Sequence, residues 1–172
     1  MVEEFRSLLN RTDIPHIIME YDTTFDLGTC YVSWLTFRHT EFNDLPNNPM
    51  PTMGLGFLIH DKKLESSHEY FWKMIKEEIP SIATAKNLLI CTDEETAIVN
   101  ALKTILPGIP RVRCHIHAWR NIKWHLAKKG ISKKKELANY RSSFYTLLNQ
   151  NSYEEYSANL LELKENFWSD VY

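Results

Sequence analysis

Lys86-Asn87-Leu88-Leu89-Ile90-Cys91-Thr92-Asp93-Glu94-Glu95 is the stretch on which the fold turns. Its centre, Leu88 to Cys91, is a short unbroken apolar run, as expected of a strand buried on both faces inside a sheet. Thr92 and Glu95 then have the spacing of a capping box, and Ile98, Ala101, Leu102 and Ile105 form one apolar stripe up to Pro107-Gly108. A buried strand passing straight into an amphipathic helix belongs to an α/β fold, and it puts Asp93 at the strand-to-helix junction.

Upstream, Ile14 to Asp22 has the alternation of a strand, with Ile17, Met19 and Tyr21 on one side and Ile18, Glu20 and Asp22 on the other. Asp22 is expected at its C-terminal end. Asp26-Leu27-Gly28 suits a turn, Tyr31 to Phe37 a second strand and Thr52 to His60 a third, with Asn43 to Pro51 as a Pro- and Asn-rich loop. Linkers this short make the first three strands an antiparallel meander. Ser66 and Glu69 form a second capping-box spacing, ahead of a helix carrying Phe71, Ile75 and Ile79 and ended by Pro80.

Downstream, Arg111 to Ile116 is expected as a fifth strand, with Val112, Cys114 and Ile116 on one face and Arg113 and His115 on the other. Ala118 to Lys129 is expected as a helix. Lys133 to Tyr172 has helical spacing with a break at Asn149-Gln150-Asn151-Ser152. The expected architecture is a mixed five-stranded α/β sheet in strand order 3-2-1-4-5. Residues 1–130 form the core, with a helical extension over 131–172.

The longest apolar runs, such as Ile17 to Met19 and Gly54 to Ile59, fall far short of the ~20 residues a bilayer span needs, and Met1 to Leu9 lacks a basic n-region. A non-membrane, intracellular protein is expected. Three cysteines, Cys30, Cys91 and Cys114, without a CxxC pair, speak for reduced thiols rather than a disulfide framework or a four-ligand zinc site. The net charge of −2 hides a segregation: Thr96 to Lys135 holds ten Lys or Arg and no Asp or Glu. Such a block is either a solvated face or the electrostatic footprint of an anionic partner.

Asp22 and Asp93 lie about seventy residues apart, yet both are expected to close strands that the right-handed crossover rule allows to lie side by side in parallel. Converging carboxylates suit hard divalent cations and phosphoryl transfer. The plainer alternative is a turn residue at Asp22 and a helix-start charge at Asp93.

Tyr21-Asp22-Thr23-Thr24-Phe25, then Thr92-Asp93 opening a helix, then Arg113-Cys114-His115-Ile116-His117-Ala118-Trp119-Arg120-Asn121-Ile122, resembles Mutator-like element (MULE) transposases. The resemblance covers Ile14 to about Leu126. It implies a ribonuclease H-like fold and metal-dependent cutting and joining of DNA by an Asp-Asp-Glu triad. Asp22 and Asp93 would be its first two catalytic, metal-binding acids and Mg2+ or Mn2+ its cofactor. DNA and other transposase subunits would be its partners and the nucleus its place.

The chain departs from that pattern in two respects. Nothing matches the family's Ser-Glu-x-x-Asn stretch, and Glu136, Glu154, Glu155, Glu162 and Glu165 are expected to be ordinary exposed helix charges, so the extension is expected to stop before the third acid. The zinc-dependent DNA-reading module is also expected to be absent. Cys114 and His117 match the family's Cys-x-x-His pair, but two ligands cannot complete a structural zinc shell. Cys114 is expected to face the core. His117 should share a helix face with Arg120, Asn121 and Trp124, where it would hold a phosphate, orient a carboxylate or serve structure alone. Arg113, Arg120, Lys123, Lys128 and Lys129 are the candidate DNA contacts. Trp34, Trp72, Trp119 and Trp168 are expected to be packing residues. A non-catalytic DNA- or protein-binding module, or the remnant of a mobile element, are the alternatives.

Overall fold

The computed structural model describes residues 1–39 and 50–166, so the expected loop up to residue 49, Trp168 and the rest of the tail lie outside the described residues. The chain forms two compact units, Met1–Cys114 and His115–Tyr172. Among the described residues no helix is long and apolar enough to cross a membrane.

The first unit is an α/β fold around one five-stranded sheet in the order β3-β2-β1-β4-β5, the ribonuclease H-like order expected. Strands β1 (Ile17–Leu27), β2 (Cys30–Arg38) and β3 (Thr52–His60) form the antiparallel meander, and β4 (Leu88–Thr92) and β5 (Arg111–Arg113) add in parallel. Helices α1 (Val2–Leu9), α2 (Glu65–Glu78) and α3 (Thr96–Ile105) supply the apolar cover. Ile17, Met19 and Tyr21 of β1 and Leu88 and Ile90 of β4 are buried with Phe5, Leu8, Phe71, Trp72, Ile98 and Leu102 of the helices. Each such side chain contributes about 1.5–3 kcal/mol on burial, which fixes the inward register of the strands.

The opposite face is far less covered. Trp34 and Phe57 are 46% and 55% exposed, with Ile18, Ile59 and Val112 also exposed, while Leu89 and Cys91 are only half-buried. The expectation that β4 is buried on both faces is thus met on one. Trp72 is a fully buried packing residue as expected, but Trp34 is not.

Four local expectations are corrected. Asp22 does not end its strand: β1 runs on to Leu27 because pairing with β2 continues to a two-residue turn, Leu27 opposite Cys30, in which Gly28 takes φ 71°. Neither capping box forms. Helix α2 starts at Glu65 with Leu64 as its cap, the phase that buries His68, Phe71 and Trp72, so Ser66 lies inside its first turn. Thr92 stays in β4 with its hydroxyl donating to the Asp93 carbonyl oxygen (2.8 Å), and α3 starts only at Thr96. Strand β5 stops at Arg113, and Cys114 donates its N–H to the Thr92 carbonyl (2.7 Å). His115 and Ile116 therefore belong to a helix, not a strand, and Cys114 is half-buried rather than part of the core.

The second unit is helical: α4 (His115–Lys128), α5 (Lys134–Leu148) and α6 (Tyr153–Asn166). Gly130, at φ 82°, ends α4 in a Schellman motif, with Ile131 N–H on the Leu126 carbonyl and Gly130 N–H on that of Ala127 (both 3.0 Å). Leu126, Phe144 and Leu147 are its buried side chains, and Trp119 packs on Phe144 at 5.9 Å between ring centroids. The break at residues 149–152 falls where expected, and the Ser152 hydroxyl accepts the Glu155 N–H (3.1 Å) to cap α6.

Candidate metal and nucleic-acid site

The parallel register of β1 and β4 pairs Glu20 with Cys91 and Tyr21 with Thr92. One step further along both chains stand Asp22, still within β1, and Asp93, just past the end of β4. On β1 the side-chain alternation turns Asp22 outward with Glu20, opposite Trp34 of β2. Asp93 lies in the turn to α3, where its Oδ1 accepts the Glu95 N–H at 3.0 Å. This Asx-type turn does locally what the expected Thr92 cap does not.

The glutamates around the pair are each engaged by a cation. Arg38 holds Glu20 at 2.9 Å, Arg111 holds Glu94 at 3.1 Å and Lys63 holds Glu95 at 2.7 Å. Among the described residues, no group of three or more His, Cys, Asp or Glu side chains is placed to hold a metal ion. Asp22 and Asp93 are two carboxylates, of the oxygen-donor type that hard divalent cations take.

Behind Asp93, on the inner face, lies a buried polar network that periodicity alone does not disclose. Lys62 offers only its carbonyl, so His60 donates to it from Nδ1 (2.8 Å). His60 Nε2 must then accept from the Ser33 hydroxyl (3.0 Å), which in turn accepts from Thr23 (2.7 Å). Beside this chain Tyr21 meets His68 Nδ1 at 2.9 Å, and His68 Nε2 faces Glu95 Oε1 at 3.8 Å, too long for a hydrogen bond. Burial, with His60 beside it, pushes the His68 imidazole down to about 4, and burial pushes the Tyr21 phenol up. One signal was available in the sequence: His68 stands three and four residues before Phe71 and Trp72, on the same helical stripe.

Cys91 and Cys114 are neighbours across β4 and the end of β5, and burial, with the Cys114 thiol adjacent, raises the Cys91 thiol to about 11. The Cys91 thiol is therefore protonated and unreactive near neutrality. Cys114 closes the first unit and His117 lies half-buried in the first turn of α4. Of the candidate DNA contacts, Arg113 is exposed near Glu94 (3.9 Å). Arg120, Lys123 and Lys128 are exposed on α4 and Lys129 is exposed just after it, with Lys128 Nζ 3.4 Å above the ring of Trp124. A cleft of about 510 Å3 lies by the Ile14-Pro15 and Lys86-Asn87 segments that precede β1 and β4, the end of the sheet opposite the aspartates.

No protein-family model and no curated protein matches this chain.

Proposed function

We propose that the chain is a transposase-derived, ribonuclease H-like core whose ancestral chemistry is metal-dependent phosphoryl transfer on DNA. The observation that supports this reading is the β1/β4 register, which pairs Tyr21 with Thr92, the residues immediately before Asp22 and Asp93, across about seventy residues of sequence. A divalent cation there would polarise a phosphate oxygen. The chain's own part is to hold that ion with Asp22 and Asp93, while the Lys63–Glu95 pair and the Glu95 N–H keep the Asp93 turn fixed. Titration with Mn2+, read by electron paramagnetic resonance, is expected to show weak binding that Asp22→Asn and Asp93→Asn each remove. Unchanged binding in either variant would refute the site.

A second reading is favoured by the ion-paired glutamates: a core that keeps the fold and binds DNA in the nucleus without cutting it. It shares one prediction with the first. Duplex DNA should bind with low sequence preference, and log K should fall with log salt by about 0.9 for each phosphate contacted. Replacing Lys128, Lys129, Lys133 and Lys135 by Gln should weaken binding and flatten that slope, measured by fluorescence anisotropy between low and moderate salt. Salt-independent binding, or none at low salt, removes DNA as the partner.

A further inference from the structure

Helical periodicity gathers three cations on one cleft of the second unit. On α4, Trp119 and Lys123 are one turn apart, and on α5, Lys134, Leu137 and Arg141 fall on one stripe. Together with Ser132 in the connection they line an open cleft of about 440 Å3. Among the described residues no carboxylate lines it. Among the described residues, Lys123, Lys134 and Arg141 have no ion-pair partner, although the Glu136 carboxylate is only two residues from Lys134. The ring of Tyr145 lies 5.5 Å from the Arg141 guanidinium, an attraction that orients the cation and leaves its charge in place. Three like charges facing one volume repel one another and raise the local concentration of an anion.

The rest of the wall narrows what the anion is. The Trp119 indole and Leu137 give the cleft an apolar side, and its volume lies within the range of small-molecule sites rather than that of a bare ion. Cations beside a half-buried indole that lines the same cleft match a phosphate joined to a flat base, and a base can reach an indole only when it is out of the duplex stack. We propose that this cleft is a subsite for one unpaired nucleotide of a nucleic-acid strand. Lys123, Lys134 and Arg141 take the phosphate, the Ser132 hydroxyl donates to it, and the base lies against Trp119. The proposal rests on the DNA reading only for the source of the nucleotide.

The test uses the full chain, a labelled oligothymidylate and a duplex of equal length, with fluorescence anisotropy as the readout. Lys134→Ala with Arg141→Ala, both exposed on α5, is expected to lower oligothymidylate affinity about tenfold or more while duplex affinity changes less. Trp119→Leu should lose between about fivefold and a hundredfold, the range for a base stacked on an aromatic ring. Trp119→Phe, which keeps a ring against Phe144, should recover most of that loss and so separates stacking from folding. Equal oligothymidylate binding by the chain and the double variant overturns the subsite, as does an equal loss for duplex and single strand. If inorganic phosphate competes as well as thymidine dinucleotide, the cleft serves free phosphate and the strand assignment fails. Duplex binding by the chain, together with oligothymidylate binding that these variants leave unchanged, would leave the DNA reading standing without the subsite. Oligothymidylate binding without duplex binding would do the reverse.

Discussion

Incubated with supercoiled DNA and abundant Mg2+ or Mn2+, the purified chain is expected to nick on the order of 10³-fold more slowly than a core with three converging acids, or not at all. In-line phosphoryl transfer needs both the attacking and the leaving oxygen held, and the two aspartates proposed as ligands would anchor only one ion. The glutamates nearest the pair are not spare ligands. Glu20, Glu94 and Glu95 each face a cation at 2.7 to 3.1 Å, and recruiting one to a metal would break its ion pair with Arg38, Arg111 or Lys63. The glutamates of α5 and α6, Glu136, Glu154, Glu155, Glu162 and Glu165, are exposed, as ordinary helix charges are. A nicking assay beside an Asp93→Asn control decides the matter. Robust cleavage that the substitution abolishes would mean that a third acid joins the pair, with Glu162 and Glu165 the first to replace.

The parts of this fold that could be read in the sequence are those set by period and by connection length. Alternation in Ile17 to Asp22, the apolar run Leu88 to Cys91 and the stripe from Ile98 to Ile105 each state their element. Short linkers against a long crossover then leave one strand order, which the sheet adopts. What stayed hidden depends on tertiary partners. Ser66 and Glu69 have the right spacing for a cap, but burial of His68 and Trp72 sets the phase of α2 and overrides it. Trp34 has the composition of a core residue, and only its register opposite Asp22 puts it on the less covered face. The candidate acids were legible because each is tied to a strand. The hydrogen-bonded chain from Thr23 to His60 was not, because it joins three strands through single polar residues at inward positions.

Stability is expected to fall as the pH drops from about 6.5 to about 4, by as much as about 3 kcal/mol from His68 alone. The sign follows from which state takes the proton. In the unfolded chain the imidazole protonates near its ordinary 6.5, whereas in the fold burial and the neighbouring His60 hold it neutral down to about 4. Between those values the unfolded state binds more protons, so acid favours it, and below about 4 the effect levels off. Asp13, drawn down to about 2 by its hydrogen bond with Arg11, contributes on the acid side of its ordinary 3.8 and so stays outside the window. Urea unfolding at intervals from pH 7.5 to 4 measures the slope. His68→Gln, whose amide can still meet the Tyr21 hydroxyl, is expected to be less stable at pH 7 and flatter across the window. An unchanged slope in that variant would assign the acid sensitivity to other groups. The consequence reaches the candidate site through one contact. Once His68 is protonated at its buried position, the gap of 3.8 Å to Glu95 Oε1 becomes an attraction that competes with Lys63 for the carboxylate, and Glu95 is the residue whose N–H fixes Asp93. Acid should therefore loosen the Asp93 turn before it unfolds the sheet, visible as faster amide exchange at Glu95 than in β4 at the same pH.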